Sequence, residues 1–512
     1  MTKFNTKQTT SQRVRGSKNA TVNYEGGLAY ESSDKDKLVM MVATSLIGEA
    51  KFYQSAKDAD MEIIRLINRV ANADPEFILK LAVYARKEMR LRSIPMVLAV
   101  ELANSGAEPI PNSRRYIAEA IQRADELTEM LAYQFARNRL VPRTKARIPM
   151  LIKGGVAQAF NKFDEYGFGK YNRDGEVKLK DALRLTRPHP KDNAQQKLFD
   201  KIRSDELATP DTHETYISVN GSTKENWEHI IPKMPYFATI RKLRTFIEKD
   251  VDPSFYMDKI TNPDAIKGSK LFPFRYHQAY KAVATLKHTD ADQFQMQKVM
   301  QALNKAIDIS MDNVDKLPGR TLVLCDTSWS MKGTTISGRS KATAYDIATL
   351  FGAMAYGLCD EAIVMAIAND ILIMDSLGTD IISNQQSIQN QEDNVGIGPQ
   401  TNVYKAFEYL RQNNIKVDRV ILLSDMQCYD SEPSGRHCDK SVAEEWARYK
   451  QEVNPKTYFY PIDLVGYGLG VVPEDDPNTN KLAGWSEQIL QFIPMYEKGL
   501  GTMVDAVENY QI

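Results

Sequence analysis

No apolar run in the chain approaches the roughly 18 residues that a membrane-spanning helix needs. The polar, basic opening MTKFNTKQTTSQRVRGSKNA also lacks the apolar stretch of a secretory signal. Cysteine is scarce. Cys325, Cys359, Cys428 and Cys438 fall at irregular spacings that give neither a disulfide framework nor a zinc pattern, which fits buried thiols in a reducing cytoplasm. Histidine is missing where serine chemistry would want it: beyond residue 320 only His437 occurs, and there is no G-x-S-x-G elbow. With no base, no phosphate-cradling loop and no transition-metal ligand pattern, the expectation is a protein that is not an enzyme.

Net charge is absent as well, but only in sum. The 66 Lys+Arg match the 66 Asp+Glu. Residues 321–512 hold 14 basic against 26 acidic side chains, a net of −12, and residues 1–320 hold 52 against 40, a net of +12. A basic half joined to an acidic half suggests that one of them handles a polyanion, although basic halves are often no more than solvated surface.

What is present falls into three segments. Residues 1–20 carry five basic side chains and no acid, and read as a flexible basic tail. From 21 to 318 the apolar periodicity is helical almost throughout. Ile63, Ile64, Ile67, Val70 and Ala71 share one face, Asp74-Pro75 caps the next helix, and Phe77, Ile78, Leu81, Tyr84 and Ala85 continue it. Further pairs recur in 93–104, 113–136, 235–249, 271–287 and 291–310 without a strict period, as in a degenerate, HEAT-like array of helix pairs. The stretch 161–225, rich in Gly, Asp, Asn and Lys, reads as long loops around one or two short helices.

Leu317-Pro318-Gly319 marks a boundary, and 319–512 alternates strand with helix: TLVLCD, KATAYDIATLFGAMAYGLCD, AIVMAIAND beside ILIMDS, NVYKAFEYLRQNN, DRVILLSD, VAEEWARYKQEV and YFYPIDLV. Apolar strands between amphipathic helices predict a doubly wound parallel sheet, so the fold class is α followed by α/β. Ligands of such sheets sit beyond the carboxyl ends of the strands, where TLVLCD and RVILLSD each end in an acid.

The stretch TLVLCDTSWSMKG, Thr321 to Gly333, puts an acid and two hydroxyls at that edge. Asp326, Ser328 and Ser330, with Asp425 after a later strand and Thr401 from the loop GPQTN, offer two carboxylates and three hydroxyl oxygens. This hard, oxygen-only set suits Mg²⁺ and leaves room for a further anionic ligand from a partner carboxylate or an RNA phosphate. The alternative is that Ser328 and Ser330 only cap the next helix. DTSWS resembles the D-x-S-x-S pattern of von Willebrand factor type A domains. That resemblance implies a metal-ion-dependent adhesion site completed by Thr401 and Asp425.

The basic half has its own cluster. Lys170, Arg173, Lys178, Lys180, Arg184, Arg187, His189 and Lys191 are interleaved with Tyr166, Phe168 and Tyr171. Cations can neutralise phosphates while rings stack on unpaired bases. Lys180, Arg184 and Arg187 are spaced to share one helix face. Arg137, Arg139, Arg143, Lys145 and Arg147 form a second cluster, and Arg86, Lys87, Arg90 and Arg92 a third. His189 sits at a Pro-flanked turn among cations. His277 lies on an apolar, aromatic helix and reads as core, with Arg275 beside it free to line a binding surface.

Four stretches in order, NYEGGLAY (23–30), KDALRLTRPHPK (180–191), WEHIIPKMPYFATIRKL (227–243) and FPFRYHQAYKAV (272–283), resemble the TROVE domain of the Ro ribonucleoprotein family. With the type A domain after them, the resemblance covers about 20–512. It implies a ring of helical repeats closed by the type A domain. Small structured Y RNAs would bind the outer basic surface, and single-stranded 3′ ends of misfolded RNAs would enter a central hole. It also implies a non-catalytic, monomeric, cytoplasmic protein of RNA quality control that works beside an exoribonuclease. A competing reading is a metal-dependent scaffold whose type A domain captures an acidic protein and whose helices bind peptide.

Overall fold

The computed structural model describes residues 20–23, 27–44, 56–108, 110–140, 147–172, 174–286, 290–335, 342–395, 401–428, 440–473, 476, 478–484, 488–497 and 502–512. The basic tail up to residue 19, Arg173, Arg143, Lys145, His437 and Cys438 lie outside them. Two compact units divide the chain. One comprises Lys57–Asn226 with Met503–Ile512, and the other Met1–Ala56 with Trp227–Thr502. The helices between Trp227 and Ser310 therefore belong to the same unit as the sheet, on the far side of the boundary read at Pro318.

The first unit is helical. Asp74 caps the Pro75–Lys87 helix, its carboxylate accepting from Phe77 N at 3.1 Å, with Pro75 in the first turn where no amide is needed. Ile94–Asn104, Ser113–Ala120, Ala124–Leu140 and Met150–Phe160 follow as helices. The stretch 161–225 departs from the expectation of one or two short helices. It folds into Glu165–Tyr171, Leu179–Thr186, Asn193–Ser204 and His213–Asn220, before a further helix at Lys224–Ile230. The polar residues that read as loop are caps: Asp164, Asp192 and Thr212 each accept from the amide three residues on. Gly169 is required by packing, since a Cβ there would lie 2.3 Å from the Ala208 carbonyl oxygen. Phe160, Phe168 and Phe199 form the aromatic core beneath. The Met503–Glu508 helix rejoins this unit, and the Tyr510 hydroxyl donates to Glu88 at 2.7 Å with its ring edge-on to Tyr84.

The second unit is built on a six-stranded sheet ordered β5-β4-β3-β6-β7-β9, with β3 Leu317–Asp326, β4 Cys359–Ile367, β5 Ile371–Ile373, β6 Arg419–Ser424, β7 Tyr458–Asp463 and β9 Leu482–Ala483. All neighbours are parallel except β4 and β5, which form an antiparallel hairpin at the edge. The expected doubly wound parallel sheet is present and gains one antiparallel strand at its edge, because residues 368–370 are too few for a crossover helix. The sheet is doubly wound. Leu322 and Leu324 face a core with Phe407, Trp446 and Tyr449. Cys325, on the other face, meets the Ala344–Leu358 helix so closely that a Cβ on Gly352 would sit 2.3 Å from its Sγ. A smaller sheet pairs β1 (Ala20–Val22) with β2 (Leu28–Glu31), and β2 with β8 (Leu469–Gly470).

Within this unit the Pro273–Ala284 helix meets the Ala344–Leu358 and Ile381–Gln389 helices through buried polar contacts. His277 Nε2 lies 2.9 Å from Gln385 Oε1, and Lys281 Nζ donates to Asp346 at 2.7 Å. His277 is core, as expected. Burial, with the Lys281 ammonium adding to it, pushes its imidazole down to about 4 from an ordinary 6.5. A depressed histidine stabilises the fold above its unfolded pKa, because only the unfolded chain takes up the proton as the pH falls through 6.5. Acidification from pH 7 to pH 5 is expected to cost about 2 kcal/mol through this group. Thermal melts of His277→Gln should show a shallower pH dependence across that window. An unchanged slope would assign the effect to other groups.

Candidate metal centre and nucleic-acid interface

β3 and β6 are parallel neighbours, so their carboxyl ends bring Asp326 and Asp425 to one edge. Asp326 Oδ1 accepts from Ser328 N at 2.9 Å and Oδ2 from the Ser424 hydroxyl at 2.5 Å. The Ser328 and Ser330 hydroxyls lie 3.1 Å apart, and Ser330 sits close enough to Asp425 to favour its ionised form. Thr401 is buried at the same edge: Asn402 N donates to the Ala368 carbonyl and Thr327 N to the Ile367 carbonyl, side by side at the end of β4. The structure therefore brings Asp326, Ser328, Ser330 and Asp425 together and sets Thr401 beside them.

Ser328 occupies the N-cap position of the Trp329–Gly333 helix, yet its side chain makes no cap hydrogen bond. The capping explanation of these serines fails for that reason. The donor set also fits a cation. Asp425 Oδ2 is buried with no hydrogen-bond partner, an acceptor left unsatisfied. Burial and the neighbouring Asp326 push the Asp425 carboxyl up to about 8, and burial raises Asp326 as well. Two desolvated carboxyls that resist ionising side by side, next to hydroxyl oxygens, form a place where a divalent cation would favour the charged form of both. Among the described residues no cluster of three or more His, Cys, Asp or Glu has metal-binding geometry, so the donors here are carboxylate and hydroxyl oxygens.

Sequence reasoning missed three neighbours. Ser424 donates to Asp326, and Asp463 ends β7 as Asp326 ends β3. That signal was legible in YFYPID, but Asp463 Oδ1 accepts from the amides of Val465 and Gly466 at 2.9 and 2.6 Å and Oδ2 from that of Gly468 at 3.4 Å. It anchors a loop. Asn23, next to β1, donates to the Cys428 carbonyl at 2.6 Å and so ties down the segment after Asp425, a long-range contact with no local signal.

The cations separate by partner. Lys178 pairs with Asp174 at 2.8 Å and Lys180 with Asp205 at 2.6 Å, around a polar cavity of about 280 Å³. Arg137 meets the buried Glu101 at 2.9 Å, and Arg139 meets Glu176 at 2.6 Å. In the third cluster Arg86, Lys87 and Arg92 pair with Glu126, Glu119 and Asp125. Arg184, Arg187, His189 and Lys191 differ: all are exposed, and none has a side-chain ion pair or hydrogen bond among the described residues. Arg187 ends the Leu179–Thr186 helix with φ 50°, which turns the chain sharply. Asn161 Nδ2 then fixes the His189 carbonyl at 2.8 Å. Lys170 lies between Tyr166 and Tyr171, and Arg275 is half-buried on the Pro273–Ala284 helix.

Helix pairs in one unit and a doubly wound sheet with an oxygen-rich edge in the other define a helical-repeat protein carrying an α/β domain. The TROVE domain matches residues 6–206 and 203–311, more than half of the chain. The chain belongs to the TROVE family, the RNA-binding family of the Ro proteins. Its fold is similar to that in the crystal structure of the Deinococcus radiodurans Ro (RSR) protein, with a TM-score of 0.64 at 15% identity over 91% of this chain and 100% of that one. Telomerase protein component 1 of Mus musculus is 24% identical over 139 residues, 27% of this chain, and that of Rattus norvegicus 25% over 144 residues. The matched stretch spans about 5% of the length of those two relatives.

Proposed function

We propose that the protein holds a small structured RNA of the Y-like class against the turn from Arg184 to Lys191, captures single-stranded RNA ends, and serves as a non-catalytic, monomeric scaffold in cytoplasmic RNA quality control beside an exoribonuclease. One observation carries this reading: within a TROVE-matched segment, three exposed cations and a histidine lack acidic partners among the described residues, whereas most of the surrounding cations are internally paired. Unpaired cations can neutralise phosphates and release counterions without first breaking an ion pair. Mg²⁺ would be held by Asp326, Ser328, Ser330, Thr401 and Asp425 in a domain resembling the von Willebrand type A fold. There it supplies positive charge for one more anionic ligand. The unsatisfied Asp425 Oδ2 favours a second activity of the same chain, metal-dependent capture of an acidic protein.

Purification from the host in low salt, followed by sequencing of the nucleic acid that accompanies the protein, tests the RNA reading. A discrete small structured RNA that dissociates as salt rises is the expected outcome. A preparation that carries no RNA and captures none when offered total RNA sinks it.

A further inference from the structure

The Glu165–Tyr171 helix turns one ring inward and another outward. Phe168 is fully buried, 5.8 Å from Phe160 and from Phe163, while Tyr166 is 53% exposed. Two residues along a helix put these rings on opposite sides, so the buried one fixes the direction of the other. Lys170 follows Tyr166 by one turn, with its ammonium 5.7 Å from that ring. Tyr171 is already covered, since the Arg123 guanidinium lies 4.2 Å over it. The acids nearby are engaged: Glu165 accepts from Lys201 at 2.8 Å, and against the upward push of burial the Glu214 carboxyl is held below its usual range by its own backbone amide, with His213 and Lys170 adding to it. Of the three rings that the sequence offered, Tyr166 is the one left for a ligand.

Its position relative to the unpaired cations is set by the Asn193–Ser204 helix. One end lies by the basic turn, where Asn161 binds the His189 carbonyl and Gln195 donates to the Phe160 carbonyl at 3.4 Å. Towards its other end, Lys201 binds Glu165, next to Tyr166. From Gln195 to Lys201 the helix rises about 9 Å, a span that a short unpaired overhang covers.

We propose that Tyr166, flanked by Lys170, is a stacking platform for an unpaired nucleobase adjoining the RNA helix whose phosphates meet the Arg184–Lys191 turn. This rests on the RNA-binding reading and adds to it the side chain that meets the first unpaired base beside the duplex. The ring supplies a π-face, which any base can use, and the lysine neutralises the adjoining phosphate.

The test uses the full chain and two probes, a blunt RNA hairpin and the same hairpin with a short 3′ overhang containing 2-aminopurine. Wild type should bind the tailed hairpin more tightly and quench the 2-aminopurine. Tyr166→Ala should weaken the tailed hairpin about tenfold, to the level of the blunt one, and abolish the quench. Tyr166→Phe should keep both. Because the side chain is exposed, thermal melts of both variants should match wild type. If Tyr166→Ala leaves the preference and the quench intact, or weakens both hairpins equally, the stacking assignment is wrong while RNA binding through the basic turn stands. If wild type binds neither hairpin in low salt, the RNA reading falls and the platform with it.

Discussion

Replacing Arg184, Arg187 and Lys191 together by alanine is expected to lower affinity for a structured RNA at least tenfold at about 0.1 M salt, and to flatten the plot of log affinity against log salt by about three units. The size follows from counting. Each cation that neutralises a phosphate of a duplex contributes about 0.9 to that slope, and these three side chains make no internal ion pair among the described residues. The fold should survive. Arg184 and Lys191 are exposed, and at position 187 alanine meets the same left-handed backbone that arginine already adopts. Lys180→Ala should do less, because Lys180 must leave Asp205 before it can meet a phosphate. Arg137 is unsuitable for the same comparison. Its loss would strand the buried Glu101 carboxylate, with a stability cost of roughly 3–5 kcal/mol that would be mistaken for lost binding. Filter binding across a salt series, with hairpins of unrelated sequence, separates the outcomes. An unchanged slope would remove these residues from the interface.

That distinction between paired and unpaired cations is the part of the site that the sequence did not carry. Lys178, Lys180, Arg184 and Arg187 look equivalent in a run of basic residues. Only Lys178 and Lys180 find partners, Asp174 and Asp205, which come from a preceding loop and from the end of the Asn193–Ser204 helix. The same holds for Arg137, whose partner Glu101 lies two helices earlier. Charge periodicity records which face a side chain takes, and tertiary packing decides whether an acid is waiting there. The aromatic interleaving was ambiguous in the same way: Tyr166 and Phe168 are two residues apart, and only packing on Phe160 shows which ring is core. What was legible rests on local rules. Asp74-Pro75 caps a helix as read, and β3 and β6 are the continuous apolar strands that a sheet covered on both faces demands. The antiparallel edge strand and the pairing of β2 with β8 were not legible, the first because a short turn was read with a parallel pattern, the second because Glu31 and Leu469 are too far apart in sequence to signal each other.

The acidic edge of the sheet was the most legible part of the candidate site, since a strand ending in an acid and followed by alternate serines is a local pattern, and it carries the other large expected effect. Adding Mg²⁺ to metal-free protein should raise the thermal midpoint of the sheet unit by about 4 °C at a hundredfold excess over its dissociation constant. A ligand that binds only the folded state stabilises it by about 2.7 kcal/mol at a hundredfold excess over its dissociation constant. In the absence of a cation, Asp326 and Asp425 are desolvated and repulsion between their ionised forms makes one carboxyl hold on to its proton, and Asp425 Oδ2 has no hydrogen-bond partner. Asp425→Asn removes that repulsion at nearly constant shape, so it should melt in chelator at or above the wild-type temperature and lose the response to Mg²⁺. The two signs together separate a metal ligand from a residue needed only for folding, whose loss would lower the midpoint under both conditions. Ser328→Ala should weaken the Mg²⁺ response while keeping part of it, because both carboxylates remain. Neither variant should change affinity for the RNA hairpins, whose proposed contacts all lie in the other unit. A wild-type midpoint indifferent to Mg²⁺, Mn²⁺ and Ca²⁺ would leave the buried acids as structural groups and withdraw the cation from the site.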